Sequence, residues 1–191
     1  MKIMKILVAC EESQRVCKAF RDKGHIAYSC DVLPTSGDTP EWHIEGDAIK
    51  VMLREDWDML IAFPPCTYLS RAGAVRLYNK PGVSDPERLR KGFEARVFWD
   101  RLWTAPIPKV CIENPTPLKC FHLPNASQVI QPYEYGHPYT KRTLLWTRGL
   151  PQLQPTNVVE PQGSWTQENR NKSVRSKTFM GIAQAMADQW G

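Results

Sequence analysis

The 191-residue sequence has no apolar run approaching the length that spans a bilayer, so no membrane segment is expected. Its six cysteines (Cys10, Cys17, Cys30, Cys66, Cys111, Cys120) contain no C-x-x-C pair and its four histidines are scattered. Neither a zinc knuckle nor a disulfide framework is therefore indicated, and no metal is expected. There is no G-x-G-x-x-G loop and no internal repeat. Nothing has the form of a signal peptide, since the stretch from Met1 to Ala9 is too short and reads as a buried first strand, so a reducing cytoplasm is the expected compartment. Charge of one sign is not abundant either: the formal balance of +5 favours a polyanionic partner without requiring one. What is present is 42% apolar residues, enough core for one compact domain over residues 1–191.

The first third alternates strand and helix. Ile3 to Ala9 is a continuous apolar strand. Ser13 is placed to N-cap a helix through Val16, Cys17 and Phe20 that stops at Gly24, and His25 to Cys30 is a second strand ending on Asp31. This βαβ unit predicts a parallel sheet. A loop from Pro34 to Pro40 leads to Ile44-Glu45-Gly46-Asp47, a short helix, and an apolar strand from Met59 to Phe63. Residues Ser70 to Asp85 turn polar and basic, with Gly73 and Gly82, which predicts a mobile loop over 71–85. Ser84-Asp85-Pro86-Glu87 has the form of a capping box, and Leu89, Phe93 and Val97 are expected to line the inward face of the helix it opens. Val110-Cys111-Ile112 is the next strand and Thr143 to Thr147 another, while Phe179, Ile182, Ala183, Met186 and Trp190 form a helical stripe that should dock on the sheet.

The chemistry-bearing residues fall at the strand ends. Phe63-Pro64-Pro65-Cys66 closes the strand at Met59, and two prolines stop its pairing, so Cys66 stands at the carboxyl edge where open α/β sheets place ligands. A turn leading into a helix would bring N–H dipoles to the sulfur and favour the thiolate, the nucleophilic form of a group whose free pKa is about 8.5. Glu113, in Ile112-Glu113-Asn114-Pro115, ends the neighbouring strand, where partial burial would raise its pKa and equip it as an acid. Asp31 stands where two acceptor oxygens can grip a ribose diol, and the helix start at Ser13 offers amides to a carboxylate or phosphate. Against these stand plainer roles. A buried cysteine is a common small hydrophobe, Asp31 and Asp47 can cap turns, and Glu11 and Glu12 suit the helix dipole better than a ligand.

The order Phe-Pro-Pro-Cys, Glu-Asn-Pro, a Gly-x-Pro segment with basic residues and a closing glycine-containing helix resembles the DNA (cytosine-5)-methyltransferases, and in particular their short phage and prophage members. The family's motifs read Pro-Cys-Gln, Glu-Asn-Val and Gln-x-Arg-x-Arg. The resemblance implies a Rossmann-like class I S-adenosylmethionine-dependent methyltransferase fold, with a largely parallel central α/β sheet and helices on both faces. It implies that Cys66 adds to C6 of cytosine and that Glu113 holds or protonates N3. Pro65, Asn114 and Pro115 would shape the base pocket, and Arg71 and Arg76 of the loop would meet phosphates of DNA. Lys141 and Arg142, in Tyr139-Thr140-Lys141-Arg142-Thr143, are both candidates for a basic catalytic residue. For S-adenosylmethionine, Asp31 would take the ribose and Asp47 the adenine amino group, with Cys10, Glu11, Ser13, Gln14 and Pro64 completing the cofactor site.

Three departures from the family stand out. Cys10-Glu11-Glu12-Ser13-Gln14 replaces a glycine-rich loop, so side chains must meet the cofactor's methionine end. Gly181-Ile182-Ala183 replaces Gly-Asn-Ala. The stretch from Arg148 to Lys177, about thirty residues, is too short for a target-recognition domain and reads as a loop. Relaxed specificity, a single-stranded or nucleotide substrate, or a protein partner that supplies recognition is therefore expected. Arg148, Arg170, Lys172, Arg175 and Lys177 remain available for phosphates. The alternatives are a noncatalytic regulator that binds nucleic acid or cofactor, and a methyltransferase acting on RNA or free cytidine nucleotide. Pro64-Pro65 also echoes the Asn/Asp-Pro-Pro-aromatic turn of amino-methyltransferases, but Phe63 and Cys66 replace its polar and aromatic ends.

Overall fold

The computed structural model describes residues 2–80 and 83–191. Seven strands build one sheet: β1 (Lys5–Ala9), β2 (Ile26–Asp31), β3 (His43–Glu45), β4 (Met59–Ala62), β5 (Lys109–Asn114), β6 (Gln128–Ile130) and β7 (Thr143–Arg148). Their spatial order is β3-β2-β1-β4-β5-β7-β6. The first five are parallel, and β7 runs antiparallel to both β5 and β6. This is a Rossmann-like α/β fold, wound outward from β1 in both directions.

The period-2 alternation of the central strands explains why their sequences are apolar throughout. Ile6, Val8, Met59, Ile61 and Cys111 point to one face, covered by α1 (Arg15–Asp22) and the carboxyl-terminal helix. Leu7, Ala9, Leu60, Ala62, Val110 and Ile112 point to the other, covered by α2 (Ala48–Met52) and α3 (Pro86–Trp103). Strands buried on both sides need no polar alternate. The carboxyl-terminal helix is α4 (Met180–Trp190), and the whole expected stripe of Phe179, Ile182, Ala183, Met186 and Trp190 is buried against α1 and the sheet. No helix among the described residues is long and apolar enough to cross a membrane.

Several local expectations are corrected. Ser13 does not cap α1. Gln14 takes the N-cap position in the left-handed region (φ 58°) without a side-chain cap, and Glu11 serves the helix end instead. At α3 the cap is Asp85, not Ser84, and its carboxylate accepts the Arg88 N–H at 2.7 Å. Phe93 and Val97 are about half exposed (48% and 53%), and the inward face carries Gly92, Trp99 and Leu102. The reason is steric: α3 lies so close to the Phe121 ring that a Cβ on Gly92 would fall 2.0 Å from it, so glycine faces inward at that turn and Phe93 meets Phe121 from the side. The β3 and β6 segments are too short and too polar to show a strand pattern.

The two segments read as loops contain regular structure. Residues 71–85 hold a 3-10 helix, Arg71–Arg76, and an antiparallel pairing of Tyr78–Lys80 with Val83–Ser84, pinned by buried Leu77. Pro81 and Gly82 lie outside the described residues. Within 148–177, Gly163–Ser164 pairs with Tyr139–Thr140, two short helices follow (Trp165–Glu168 and Lys172–Ser176), and Leu153 joins the core beneath α4.

Candidate active site

The carboxyl ends of β1, β2, β4 and β5 open on one edge of the sheet. Because β7 is reversed, it starts where they end. Leu145 pairs with Glu113 and Leu144 with Asn114, so the residues leading into β7, Lys141 and Arg142, arrive at this edge. The Phe63 N–H still donates to Ala9 O at 3.0 Å, and then Pro64 and Pro65 end the pairing. The buried Asn114 side chain donates to Pro64 O at 3.0 Å and so holds the turn that presents Cys66 against the end of β5. Beyond Cys66 the two motifs are joined again: Arg71 N–H donates to Thr116 O at 2.9 Å, and Leu118 N–H to Leu69 O at 2.7 Å. Asn114 is thus a positioning residue for the turn.

The half-buried Cys66 thiol and the Glu113 carboxyl lie within Coulombic reach of each other and of Lys141. Burial pushes the Cys66 pKa up, the Glu113 charge adds to this, and the Lys141 ammonium opposes it. No helix begins at Cys66. The chain makes a turn in which Cys66 O accepts from Leu69 and Ser70, so no helix dipole is aimed at the thiol, although the Cys66 N–H and the Ser70 hydroxyl favour the thiolate. Burial also pushes Glu113 up, again against Lys141, which favours the protonated, proton-donating carboxyl. Lys141 Nζ donates to Arg175 O at 3.0 Å and sits 5.9 Å from the centre of the Phe179 ring. It lines a cavity with Glu113, Phe63, Thr143, Thr178 and Phe179. Arg142 faces solvent, so of the two basic candidates only Lys141 joins Glu113. Arg71, Arg76 and Pro65 are exposed beside the turn, and Pro115 is half-buried.

On the other half of the edge, Cys10 ends β1 with φ 60°. Its thiol is pushed up by burial and then by the nearby Asp31, Cys30 and Asp47. Asp31 Oδ1 accepts from Leu33 N–H at 3.0 Å. Asp47 Oδ1 accepts from Ile49 and Lys50 N–H at 2.8 and 3.1 Å, capping α2. The capping role and a ligand role are compatible here, because each carboxylate uses one oxygen and leaves the second without a donor among the described residues.

The α1 end is different. Glu11 is 4% exposed, and its two oxygens accept from Val16 and Cys17 N–H at 2.7 and 3.1 Å. Two of the amides at this helix start, those of Val16 and Cys17, are therefore filled by the chain's own carboxylate. Gln14 is fully buried and holds Thr39 through both ends of its amide, donating to its carbonyl at 2.8 Å and accepting from its N–H at 3.3 Å. Neither side chain is free for a cofactor. Burial pushes Glu11 up to about 7, against the two amide hydrogen bonds that lower it. A carboxyl whose pKa is raised on folding binds more protons folded than unfolded between the two values, so stability should fall as pH rises from about 4.5 to about 7. Chemical denaturation across this range should show that slope in the wild type and a flatter one in Glu11→Gln.

The distant basic residues separate as well. Arg148 stands at the opposite edge of the sheet, donating to Ala105 O at 2.7 Å, and is no phosphate contact for this site. Lys177 reaches Ser36 and Glu12 on the β1 side of the open edge. No motif in the local sequence marks that contact, which joins residues 141 positions apart.

Three solved structures share features of this fold. The chain is similar to a candidate DNA modification methyltransferase encoded within an E. coli prophage (10% identity, TM-score 0.48), to the Entamoeba histolytica methyltransferase EhMeth (13%, 0.48) and to a variant of Spodoptera frugiperda DNMT2 (15%, 0.38). These alignments cover 82%, 83% and 82% of this chain but 52%, 58% and 54% of the other chains. The chain thus spans a little over half of their length. No protein-family model matches the sequence, and no curated protein matches it as a relative.

Proposed function

We propose that this protein transfers a methyl group from S-adenosylmethionine to C5 of cytosine in DNA, with Cys66 as the nucleophile. The observation that carries this reading is the meeting of the Cys66 thiol, a half-buried and protonatable Glu113 carboxyl and the Lys141 ammonium at one sheet edge, with Asn114 holding the Cys66 turn. Cys66, Glu113 and Asn114 come from the two most specific motifs in the resemblance, and Lys141 from a segment that lacks the family's register.

The donor set of the other half-edge fits the cofactor. Asp31 and Asp47 each keep one oxygen for a ribose diol or an adenine amino group, Val32 and Leu33 lie exposed beside them, and Cys10 stands near both carboxylates. S-adenosylmethionine supplies an electrophilic methyl group.

Cys66 Sγ, as thiolate, forms a bond to C6 of the base while Glu113 gives its proton to N3, which leaves a nucleophilic electron pair on C5. Lys141 favours the thiolate by its charge. Once C5 carries the methyl group, loss of the C5 proton to water expels Cys66, and the N3 proton returns to Glu113. A base paired inside a duplex cannot reach Cys66, so it must be flipped out or already single-stranded. Arg71, Arg76 and Arg142, exposed around the turn, are placed for phosphates. Base-specific readout would come from a protein partner.

The test is transfer of a radiolabelled methyl group to duplex DNA, single-stranded DNA, RNA and dCMP. Label recovered as 5-methylcytosine in DNA is expected. Label confined to RNA or dCMP would move the substrate, and label on the exocyclic nitrogen would overturn the C5 chemistry. A folded protein that binds nucleic acid but labels none of the four would be a noncatalytic regulator.

A further inference from the structure

In the loop after β1, Glu11 already takes the Val16 and Cys17 amides at the start of α1, and the Gln14 side chain is fixed on Thr39. With those donors spent, a ligand with an α-amino acid end would meet side chains at this edge. Three distant segments converge there. Glu12 comes from the β1 loop, Ser36 from the loop after β2, and Lys177 from the stretch before α4.

Glu12 is held firmly. Ser36 N–H donates to its backbone carbonyl at 3.0 Å and to its Oε2 at 3.2 Å, and Thr35 Oγ1 donates to the same carbonyl at 2.7 Å. Lys177 Nζ donates to Ser36 Oγ at 2.9 Å and stands 3.8 Å from Glu12 Oε1. The segment carrying it is tied down next door, where Arg15 Nη1 donates to Thr178 O at 2.8 Å. Both side chains are largely covered, at 23% and 19% exposure, so the opposite charges are screened less than a surface pair.

At 3.8 Å the two charges attract without a short hydrogen bond between them. Such a pair presents one cation and one anion side by side to an incoming group. A zwitterionic α-amino acid carries the complementary pair. We propose that Glu12 and Lys177 form a clasp for the α-amino acid end of the cofactor, in which Glu12 takes the ammonium while Lys177 and Ser36 take the carboxylate. The clasp rests on the methyl-donor reading above. The segment before α4 that carries Lys177 also supplies Ser176, Thr178 and Phe179 to the Glu113 cavity.

Two ligands separate the clasp from the rest of the site. S-adenosylhomocysteine carries the α-amino acid end, and 5′-methylthioadenosine keeps the adenosine thioether without it. By calorimetry the wild type should bind S-adenosylhomocysteine at least about tenfold more tightly, the effect of one charge-assisted hydrogen bond. Glu12→Gln and Lys177→Met should each lose about that factor for S-adenosylhomocysteine and keep 5′-methylthioadenosine affinity, which also reports that the variant is folded. Lys177→Arg should restore most of the preference.

Variants that keep the preference would overturn the clasp. Variants that lose both ligands together would overturn it in favour of a structural latch. A wild type that binds both ligands equally would also overturn it while leaving the methyl-donor reading standing. Binding of neither would remove that reading and the clasp with it.

Discussion

Cys66→Ala is expected to abolish methyl transfer, a loss of at least about 10³-fold in single-turnover rate of the kind seen when a covalent nucleophile is removed. DNA carrying 5-fluorocytosine should trap the wild type as a covalent complex on a denaturing gel, because the C5 fluorine cannot leave as a proton does. The same DNA should leave Cys66→Ala uncoupled. The pH dependence follows from the directions of the shifts. The reactive form pairs a thiolate, whose pKa is raised by burial and by Glu113, with a protonated Glu113, so the rate should rise up to the raised Glu113 pKa, level off, and fall above the raised Cys66 pKa. Glu113 must give a proton, and its raised pKa keeps that proton available toward neutral pH. A trapped adduct in Cys66→Ala, or unchanged transfer, would exclude Cys66 as the nucleophile.

Trp99→Ala should cost about 3–5 kcal/mol of stability, the range for truncating a fully buried aromatic. Trp99 is 0% exposed on the α3 face, stacked on Trp103 with ring centroids 5.8 Å apart and edge-on to Trp146 at 5.5 Å. For a chain of this length the melting temperature should fall by on the order of 10 °C. Trp99→Phe should cost much less than the alanine, because Nε1 of Trp99 is buried without an acceptor among the described residues and phenylalanine removes that unpaired donor while retaining a ring. Thermal melts of the three proteins decide it. Equal losses for Phe and Ala would mean that the smaller ring recovers none of the packing at this site and would overturn the expectation.

Much of the sheet was legible because its strands are short, apolar and punctuated. Lys5–Ala9, Met59–Ala62 and Lys109–Asn114 are buried on both faces and read as continuous hydrophobic runs. Pro64-Pro65 and Asn114-Pro115 mark where two of them end, and so where Cys66 and Glu113 stand. The α4 stripe was equally plain, since one helical face carries nearly all its large apolar residues. In α3 the same reasoning placed Leu89 on the core, as the structure does, but set Phe93 and Val97 too far inward. Its apolar residues lie all round the helix, and the inward side was selected by how close Phe121 comes to Gly92, a property of two distant segments.

The sequence by itself determined the alternation of strand and helix, the parallel start of the sheet, and the placing of a cysteine and a glutamate at neighbouring strand ends. These depend on local pattern, on the chirality of βαβ connections and on proline, all of which act within a few residues or one unit. Only the tertiary structure decided that Lys141 rather than Arg142 faces Glu113, that Glu11 fills the α1 terminus, that Arg148 leaves the site, and that Lys177 reaches Glu12. Each of those outcomes turns on charges and hydrogen-bond partners brought together from distant segments or on the reversal of β7, and a carboxylate or ammonium acquires its role from whichever partner the fold places within a few ångströms of it.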